Sequence, residues 1–314
     1  MFQTYLQEKK ELIIAYLYEF FKLQKPLAIN RWGKDAIERL EQFIQNGKMI
    51  RGALVFLGYA ISGKKEHPDL ITIASAMELF QAGLLIHDDI MDHDDLRRGK
   101  PSMHSQYEQM LQKHACESPK DSAISFALCV GDLAYFYAYE LLASIKDHNI
   151  ANITSQSLSR VAQAQMQDVY FGSSNKLPTK EDILALYHYK TGDYSITLPM
   201  TLGAEIGEAS KETMRHINLF GKNLGVALQL VDDRLNLSGN PSVSGKPVGS
   251  DITSEKKTLY YFLLSQTQEG KDILQSKNID RTKAFCQNSG IDDQITKQVQ
   301  FHTREAEEAI FHIP

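Results

Sequence analysis

The chain has 314 residues, of which 43% are hydrophobic and 23% are charged, values typical of a globular protein with a sizeable core. Its formal net charge of −5 gives no general basic surface, which argues against nucleic acid as a partner. Three cysteines without short spacing argue against a zinc cage or a disulfide framework, so we expect a cytoplasmic protein. No uncharged stretch approaches the roughly 20 residues of a membrane-spanning helix, and charges interrupt the apolar start of the chain, so we expect neither a membrane span nor a signal peptide.

Apolar residues recur at three- and four-residue spacing through most of the chain, which predicts helices. In chain order, the predicted helices are 4–24, 34–46, 70–92, 122–145, 155–171, 181–206, 211–237, 256–265 and 294–311. Alternating strand-like runs are scarce, and no turn signal joins two of them. No linker or internal repeat divides the chain, so we predict one all-α domain over residues 1–314.

The predicted helix 70–92 is apolar around most of its circumference and ends in aspartates. The segment HDDIMDHDDLRRGKP, residues 87–101, has five aspartates within eight positions and continues into basic residues. Asp88 and Asp92 share a helix face with Asp89 beside them, an arrangement that is destabilising unless a cation neutralises it. Mg²⁺ suits such a site, because it takes one or two carboxylates and completes its shell with water and phosphate oxygens. A solvated helix end whose charges touch only water would give the same pattern.

A second cluster of the same kind ends the predicted helix 211–237. Asp232 and Asp233 in VDDRLN repeat the paired geometry, and Asn236 stands where a third carboxylate would be. Facing helices of a bundle can bring two such clusters to opposite walls of a cavity. There they would hold several Mg²⁺ ions, bind a diphosphate and assist its departure as a leaving group.

Basic residues follow both clusters along the chain. Arg97 and Arg98 come within two turns of the first cluster, and arginine suits bidentate phosphate binding. Lys246, Lys256 and Lys257 follow the second cluster, on and after a glycine-rich loop that could close over bound phosphate and exclude water. Each of these residues alone would be interpreted as a surface charge, but their order around both clusters is a stronger signal.

Together these motifs resemble those of the trans-isoprenyl diphosphate synthases, or polyprenyl synthetases, the family of farnesyl and geranylgeranyl diphosphate synthases. The basic motif GKMIRGAL precedes the two aspartate motifs, AQMQD and KTGDYS lie between them, and GKPVGSDITSEKKT matches the closing loop, so the resemblance covers residues 45–260 in order. It implies an all-α bundle around a deep central cavity, and a homodimer. It also implies head-to-tail condensation of an allylic diphosphate with isopentenyl diphosphate, release of pyrophosphate, and three Mg²⁺ ions per site.

The resemblance implies roles for individual residues. The Mg²⁺ ligands would be Asp88, Asp89, Asp92, Asp232 and Asp233. The residues that bind the allylic diphosphate would be Arg97, Lys190 and Lys256, and Lys246 is expected to bind substrate phosphate as well. The residues that bind isopentenyl diphosphate would be Lys48, Arg51, Gln81 and Arg98. The residues that contact the allylic substrate and stabilise its carbocation would be Thr191 and Gln229. Asn236 replaces an aspartate found in many farnesyl synthases, so we expect a looser second metal site.

Product length in this family depends on residues one and two turns before the first cluster, which here are Leu84, Gly83 and, deeper, Phe80. A farnesyl synthase typically carries a bulky aromatic at one of the first two positions, whereas glycine places no side chain in the path of the growing tail. We therefore expect Phe80 to form the cavity floor, with a contribution from the helix of Tyr135, Phe136 and Tyr139. The expected product is longer than farnesyl, either geranylgeranyl or one or two isoprene units beyond. These aromatics would serve equally well as ordinary packing residues.

Three other interpretations stay open on the sequence alone: a terpene cyclase or head-to-head synthase, a non-catalytic subunit of a heteromeric synthase, and a structural helical protein. GKMIRGAL and Arg98 disfavour a cyclase, which has no use for a second diphosphate pocket. The two complete aspartate pairs disfavour a non-catalytic subunit, in which such residues are usually lost. A structural protein would not account for the ordered basic motifs.

Overall fold

A computed structural model describes residues 2–114, 116–239 and 248–313 of the chain. The first helices are α1 (Phe2–Gln24), α2 (Arg31–Gln45), α3 (Ile50–Ala60), α4 (Leu70–Met91), α5 (Met103–Lys113), α6 (Pro119–Ala143) and α7 (His148–Ser173). They are followed by α8 (Lys180–Tyr187), a π-helix (His188–Thr197), α9 (Leu198–Ile206), α10 (Lys211–Ser238), α11 (Ser250–Thr253), α12 (Leu259–Leu264), α13 (Gln268–Ser276), α14 (Ile279–Asn288) and α15 (Ile291–Phe311). In the described ranges, the strands form one antiparallel hairpin, β1 (Leu96–Arg97) with β2 (Lys100–Pro101).

The predicted all-α fold class is confirmed, and each predicted helical segment overlaps a helix of the structure. Five helices were not predicted as such: α3, α5, α11, α13 and α14. The predicted segment 181–206 is interrupted, because its middle is wound as a π-helix between α8 and α9.

The chain divides into two compact units, Met1–Ile153 with Pro199–Ala209, and Thr154–Leu198 with Ser210–Pro314. The predicted single domain over residues 1–314 stays a prediction. Within the first unit, α4 is the central element and packs against α3 and α6. Its side chains are buried on nearly all sides, as its uniformly apolar sequence predicts. By length and composition α4 and α6 resemble membrane-spanning helices, but 72% of the most apolar stretch of α4 is buried inside the protein, as in the core helix of a globular unit.

In the second unit, α10 is the central element and packs against α15 and the π-helix. Its start is capped by Ser210, whose side chain accepts from the backbone N–H of Thr213. α8 begins with a capping box, in which the side chains of Thr179 and Asp182 each accept from the other's backbone N–H. The first cap sets the start of α10, which carries the second aspartate cluster. The second sets the start of α8, which continues into the π-helix.

Candidate active site

The first aspartate cluster lies at the C-terminal end of α4. The helix ends at Met91, and the backbone N–H of Asp92 donates to the carbonyl of Asp88 (2.8 Å). The side chain of Asp88 is 23% exposed and Asp92 is exposed, whereas Asp89 is fully buried. Asp88 and Asp92 therefore present carboxylates on the open side of the helix end.

Arg97, on β1, neutralises this cluster. Its guanidinium donates to Asp89 Oδ1 through Nε (2.6 Å) and through Nη2. Nη2 also lies 3.8 Å from Asp88 Oδ2 and 3.6 Å from Asp94 Oδ2. Burial raises the pKa of Asp89 to about 6, although Arg97 opposes this shift. Arg97 was predicted to bind the allylic diphosphate, and here its guanidinium binds the most buried aspartate of the first cluster.

The donor chemistry of the first cluster suits Mg²⁺. Across residues 2–114, 116–239 and 248–313, no three His, Cys, Asp or Glu side chains form a complete set of metal ligands. Mg²⁺ does not need such a set, because water and substrate phosphate fill most of its shell. Asp88 and Asp92 offer carboxylate oxygens on the open side, and buried Asp89 Oδ2 has no hydrogen bond to the described part of the chain. These are the residues of the first unit that would hold the ion.

The basic motif before the first cluster is organised around Glu78 of α4. This buried carboxylate accepts a hydrogen bond from the backbone N–H of Gly52 in α3 (2.8 Å). Burial raises the pKa of Glu78, while the hydrogen bond and the nearby charges of Arg51 and Arg98 oppose the rise. Arg98 also donates to the carbonyl of Phe43 (3.4 Å). Two of the predicted isopentenyl diphosphate ligands therefore lie near one buried carboxylate.

Three other predicted substrate ligands have different positions. Lys48 is exposed just before α3, and Gln81 is half-buried on α4, one turn after Glu78. Lys246 belongs to the segment 240–247 and lies outside the described residues. Its predicted contact with substrate phosphate stays a prediction.

The second aspartate cluster lies on α10, and its two carboxylates differ in exposure. Asp232 is exposed, and Asp233 is buried. Asp233 accepts from Gln229 Nε2 at Oδ1 (3.0 Å) and from the Tyr187 hydroxyl at Oδ2. That hydroxyl in turn accepts from the backbone N–H of Leu259 (3.0 Å). Burial raises the pKa of Asp233 to about 7, although its two hydrogen-bond donors oppose this shift.

Asn236, which replaces a family aspartate, joins α10 to the segment that follows it. Its Nδ2 donates to Ser250 Oγ (2.7 Å), and its Oδ1 accepts from the backbone N–H of Asp251 (3.1 Å). Its backbone carbonyl accepts from the N–H of Gly249 (2.7 Å). The amide side chain thus serves as donor and acceptor at once, and it fixes the start of α11 against α10.

The π-helix presents Lys190 and Thr191. Lys190 Nζ lies 2.5 Å from Asp168 Oδ2, so the AQMQD and KTGDYS motifs meet in an ion pair. The Thr191 hydroxyl donates to Gln229 Oε1 (2.9 Å). A Cβ at Gly225 of α10 would lie 2.0 Å from Cα of Gly192, so glycine at position 225 allows the π-helix to approach α10 this closely.

These residues line one pocket in the second unit. Its lining includes five predicted site residues, namely Lys190, Thr191, Gln229, Asp233 and Lys256. Asp168, Tyr187 and Lys257 line it as well. The structure therefore brings together residues that are far apart in sequence and that were predicted to act on the allylic substrate.

The residues predicted to control product length lie on α4. Phe80 is fully buried, Gly83 is buried, and Leu84 is half-buried. The space beside Gly83 is not open, since a Cβ there would lie 2.5 Å from Cε1 of Tyr135 on α6. An aromatic ring from a neighbouring helix therefore occupies the space that the glycine leaves.

Two buried residues beside predicted site residues, one in each unit, were not singled out in the sequence. Glu78 is a lone carboxylate in an apolar helix, three residues before Gln81, and that position was the available signal. Tyr187 lies three residues before Lys190, but nothing local distinguishes it from a packing residue, because its partner Asp233 is 46 residues away.

Comparisons with known proteins give a consistent result. The polyprenyl synthetase family matches residues 34–289. The chain is 34% identical over 243 residues to the short chain isoprenyl diphosphate synthase of Methanocaldococcus jannaschii, covering 74% of this chain and 68% of that protein. It is 29% identical over 301 residues to the farnesyl diphosphate synthase of Geobacillus stearothermophilus, covering 92% and 93%. The structure is similar to that of geranylgeranyl pyrophosphate synthase from Corynebacterium glutamicum, complexed with isoprenyl diphosphate and magnesium, with a TM-score of 0.90, 26% identity and coverage of 98% and 94%.

Proposed function

This chain belongs to the polyprenyl synthetase family, and within it we propose that the protein is a chain-elongating prenyltransferase. It joins an allylic diphosphate head to tail with isopentenyl diphosphate and releases pyrophosphate. The observation that carries this proposal is that both aspartate pairs and the basic motifs are all present in the family's order. A cyclase would have no use for the second set of cations, Lys48, Arg51 and Arg98.

Residues of the first unit would bind both diphosphates. Asp88 and Asp92, with the free oxygen of Asp89, would hold Mg²⁺, which when bound supplies the positive charge that stabilises a departing diphosphate. Arg51 and Arg98 would bind isopentenyl diphosphate together with Lys48 and Gln81. Glu78 binds the start of α3 through Gly52, next to Arg51, and Arg98 donates to the carbonyl of Phe43.

Residues of the second unit would act on the allylic chain. Lys190, held by Asp168, and Lys256 would bind the allylic diphosphate, and Asp232 would hold a further ion. The Thr191 hydroxyl donates a hydrogen bond to Gln229 Oε1. The electron pairs of the Thr191 oxygen are therefore available to stabilise a carbocation.

The reaction then breaks the bond between the allylic carbon and the diphosphate oxygen. The double bond of isopentenyl diphosphate supplies the electron pair for the new carbon–carbon bond. A proton leaves the adjacent carbon of the isopentenyl unit, and the released pyrophosphate accepts it. Water must be excluded while the carbocation exists, because water would otherwise capture it.

The finer properties of the enzyme are also part of the proposal. The product is geranylgeranyl diphosphate or a chain one or two isoprene units longer, because no aromatic stands at position 83 or 84 of α4. Three Mg²⁺ ions act at each site, and the enzyme works in the cytoplasm. A homodimer is supported by apolar side chains exposed on α6, of which Phe136 is 69% exposed. Sedimentation velocity measures the oligomeric state directly.

The test is to incubate the purified protein with Mg²⁺, isopentenyl diphosphate and dimethylallyl, geranyl or farnesyl diphosphate in turn, and to identify products by mass spectrometry. We expect a ladder that ends at one length. Pyrophosphate release without elongation would instead indicate a cyclase or a hydrolytic enzyme. The absence of both elongation and pyrophosphate release would indicate a subunit that needs a partner.

Asp88→Ala tests the metal assignment within the same assay. We expect turnover to be lost while the circular dichroism spectrum stays helical, because a carboxylate on the open side of α4 is removed without disturbing the core. Asp95→Ala is the matched control, because Asp95 belongs to the same acidic run and its side chain is 85% exposed. Near-normal turnover in Asp88→Ala would contradict the assignment.

A further inference from the structure

One side of α4 carries Phe80, Gly83 and His87, at the three- and four-residue spacing that aligns side chains along a helix. This side packs against α6, which supplies Gly131, Tyr135 and other residues. The two helices approach closely because each has a glycine where the other has a ring. The space available to a growing chain beside Gly83 therefore depends on the side chains of α6 as well.

The ring of Tyr135 fills the space beside Gly83. A Cβ at position 83 would lie 2.5 Å from Tyr135 Cε1 and 2.8 Å from Cδ1, distances that real side chains do not adopt. It would also lie 2.9 Å from the carbonyl of Gly131. Tyr135 can therefore occupy its observed position only because residue 83 is a glycine and has no Cβ.

Tyr135 is held in this position by rings on both sides. The centre of its ring lies 5.3 Å from that of His87 in an edge-to-face arrangement, and 6.4 Å from that of Phe80. His87 is itself held by the carbonyl of Leu128, 3.2 Å from its Nε2. Phe80 packs further against Tyr139, with ring centres 5.0 Å apart. Phe80 therefore lies behind Tyr135 in a stack of aromatic rings.

The position along α4 decides which ring a growing chain would reach first. Gly83 lies five residues before Asp88, about 7.5 Å along the helix axis, and Phe80 lies eight residues before it, about 12 Å. The ring of Tyr135 packs against His87, the neighbour of Asp88, as well as against Phe80, so it spans the levels between these two residues of α4. A prenyl chain anchored at Asp88 and running along α4 would meet the level of Tyr135 before that of Phe80.

We propose that Tyr135 limits product length in this protein, because its ring, contributed by α6, fills the space beside Gly83 on α4. This inference rests on the proposed synthase function. Phe80 becomes a second barrier behind it. The product should then end at the length that Tyr135 allows, and Tyr135 is the residue whose removal lengthens the chain.

The experiment compares product ladders from wild type and five variants, one of which is a control, under one set of primers. Tyr135→Ala should add at least one isoprene unit to the final product, and Tyr135→Phe should leave it unchanged because the ring stays. Phe80→Ala alone should leave it unchanged, and the double variant Tyr135→Ala/Phe80→Ala should give longer products than Tyr135→Ala. Tyr18→Ala is the matched control, since it removes a tyrosine that is 52% exposed on α1.

The outcomes separate this inference from the function on which it rests. Failure of wild type to elongate any primer would remove the proposed function. Normal elongation by wild type with an unchanged ladder in Tyr135→Ala would overturn only the role of Tyr135, and a longer product in Phe80→Ala alone would give that role to Phe80. If Tyr135→Ala does not fold by circular dichroism, Tyr135→Leu replaces it, and an unchanged ladder in that variant would overturn the inference equally.

Discussion

The two aspartate clusters have nearly the same sequence pattern and quite different surroundings. At the end of α4, the buried carboxylate of Asp89 is bound by the charged guanidinium of Arg97. On α10, the buried carboxylate of Asp233 is bound by two neutral donors, the Tyr187 hydroxyl and the Gln229 amide. In both clusters a neighbouring aspartate, Asp88 or Asp232, is the more exposed one.

This difference shows that one motif can satisfy its buried carboxylate in two ways. An ion pair lowers the energy of a buried charge strongly, but removing either partner leaves the other charge unpaired. Burial raises the pKa of Asp233 to about 7 against about 6 for Asp89, and the neutral donors of Asp233 oppose this rise without the charge that Arg97 supplies to Asp89. The first cluster should therefore be more sensitive to loss of a partner, and the second more sensitive to pH.

Arg97→Ala should produce the largest effect, because it leaves Asp89 as an unpaired buried carboxylate. Breaking a buried ion pair by removing one partner costs about 3–5 kcal/mol, so we expect the free energy of unfolding in urea to fall by about that amount. The double variant Arg97→Ala/Asp89→Asn should recover much of the loss, since the buried charge is gone. Equal unfolding free energies in the single and double variants would show that the pair is not coupled.

The pH dependence of stability should distinguish the clusters next. The folded protein binds a proton at Asp233 up to about pH 7, whereas the unfolded chain releases it near pH 4. The free energy of unfolding should therefore decrease as pH rises through this window, by about 4 kcal/mol from Asp233. Asp233→Asn should flatten the curve up to about pH 7, and Asp89→Asn only up to about pH 6. Urea unfolding without Mg²⁺ at a series of pH values measures both, and a curve that Asp233→Asn leaves unchanged would refute the prediction.

Asn236→Asp should have the smallest effect and would make the clusters more alike. The carboxylate keeps the acceptor for Asp251 N–H, and the Ser250 hydroxyl can turn to donate, so the free energy of unfolding should change by about 1 kcal/mol or less. A third carboxylate near Asp232 should lower the Mg²⁺ concentration needed for half-maximal turnover. Asn218→Asp, at an exposed position of α10, is the control for added charge, and an equal shift there would exclude a local effect.

The sequence predicted the long helices well because their apolar pattern is repeated over several turns. α4 and α10 are identified by this pattern within a residue or two. Shorter helices such as α13 and α14 were missed, since each has few buried residues and its start is set by one side-chain cap, Thr267 or Asn278. The π-helix could not be predicted, because its winding depends on packing against α10.

The candidate site was predictable as a set of residues but not as a set of partners. Motif order identified Asp88, Asp233 and Lys190, since each lies in a short recognisable stretch. The pairing of Asp233 with Tyr187 depends on how two distant segments pack. The filling of the space beside Gly83 by Tyr135 depends on the approach of two helices, and a glycine in a sequence does not reveal what occupies its place.

The π-helix has a consequence for how this chain can change length during evolution. A π-helix accommodates extra residues within an otherwise α-helical path, so a one-residue deletion in His188–Thr197 could be absorbed by rewinding toward an α-helix. The helices on either side of the segment would then keep their alignment, whereas residues within it would change position around the helix axis by up to about 100°, the rotation per residue of an α-helix. Lys190 and Thr191 would then lose their common alignment with Gln229. The segment should therefore tolerate substitutions on its exposed side far better than any insertion or deletion.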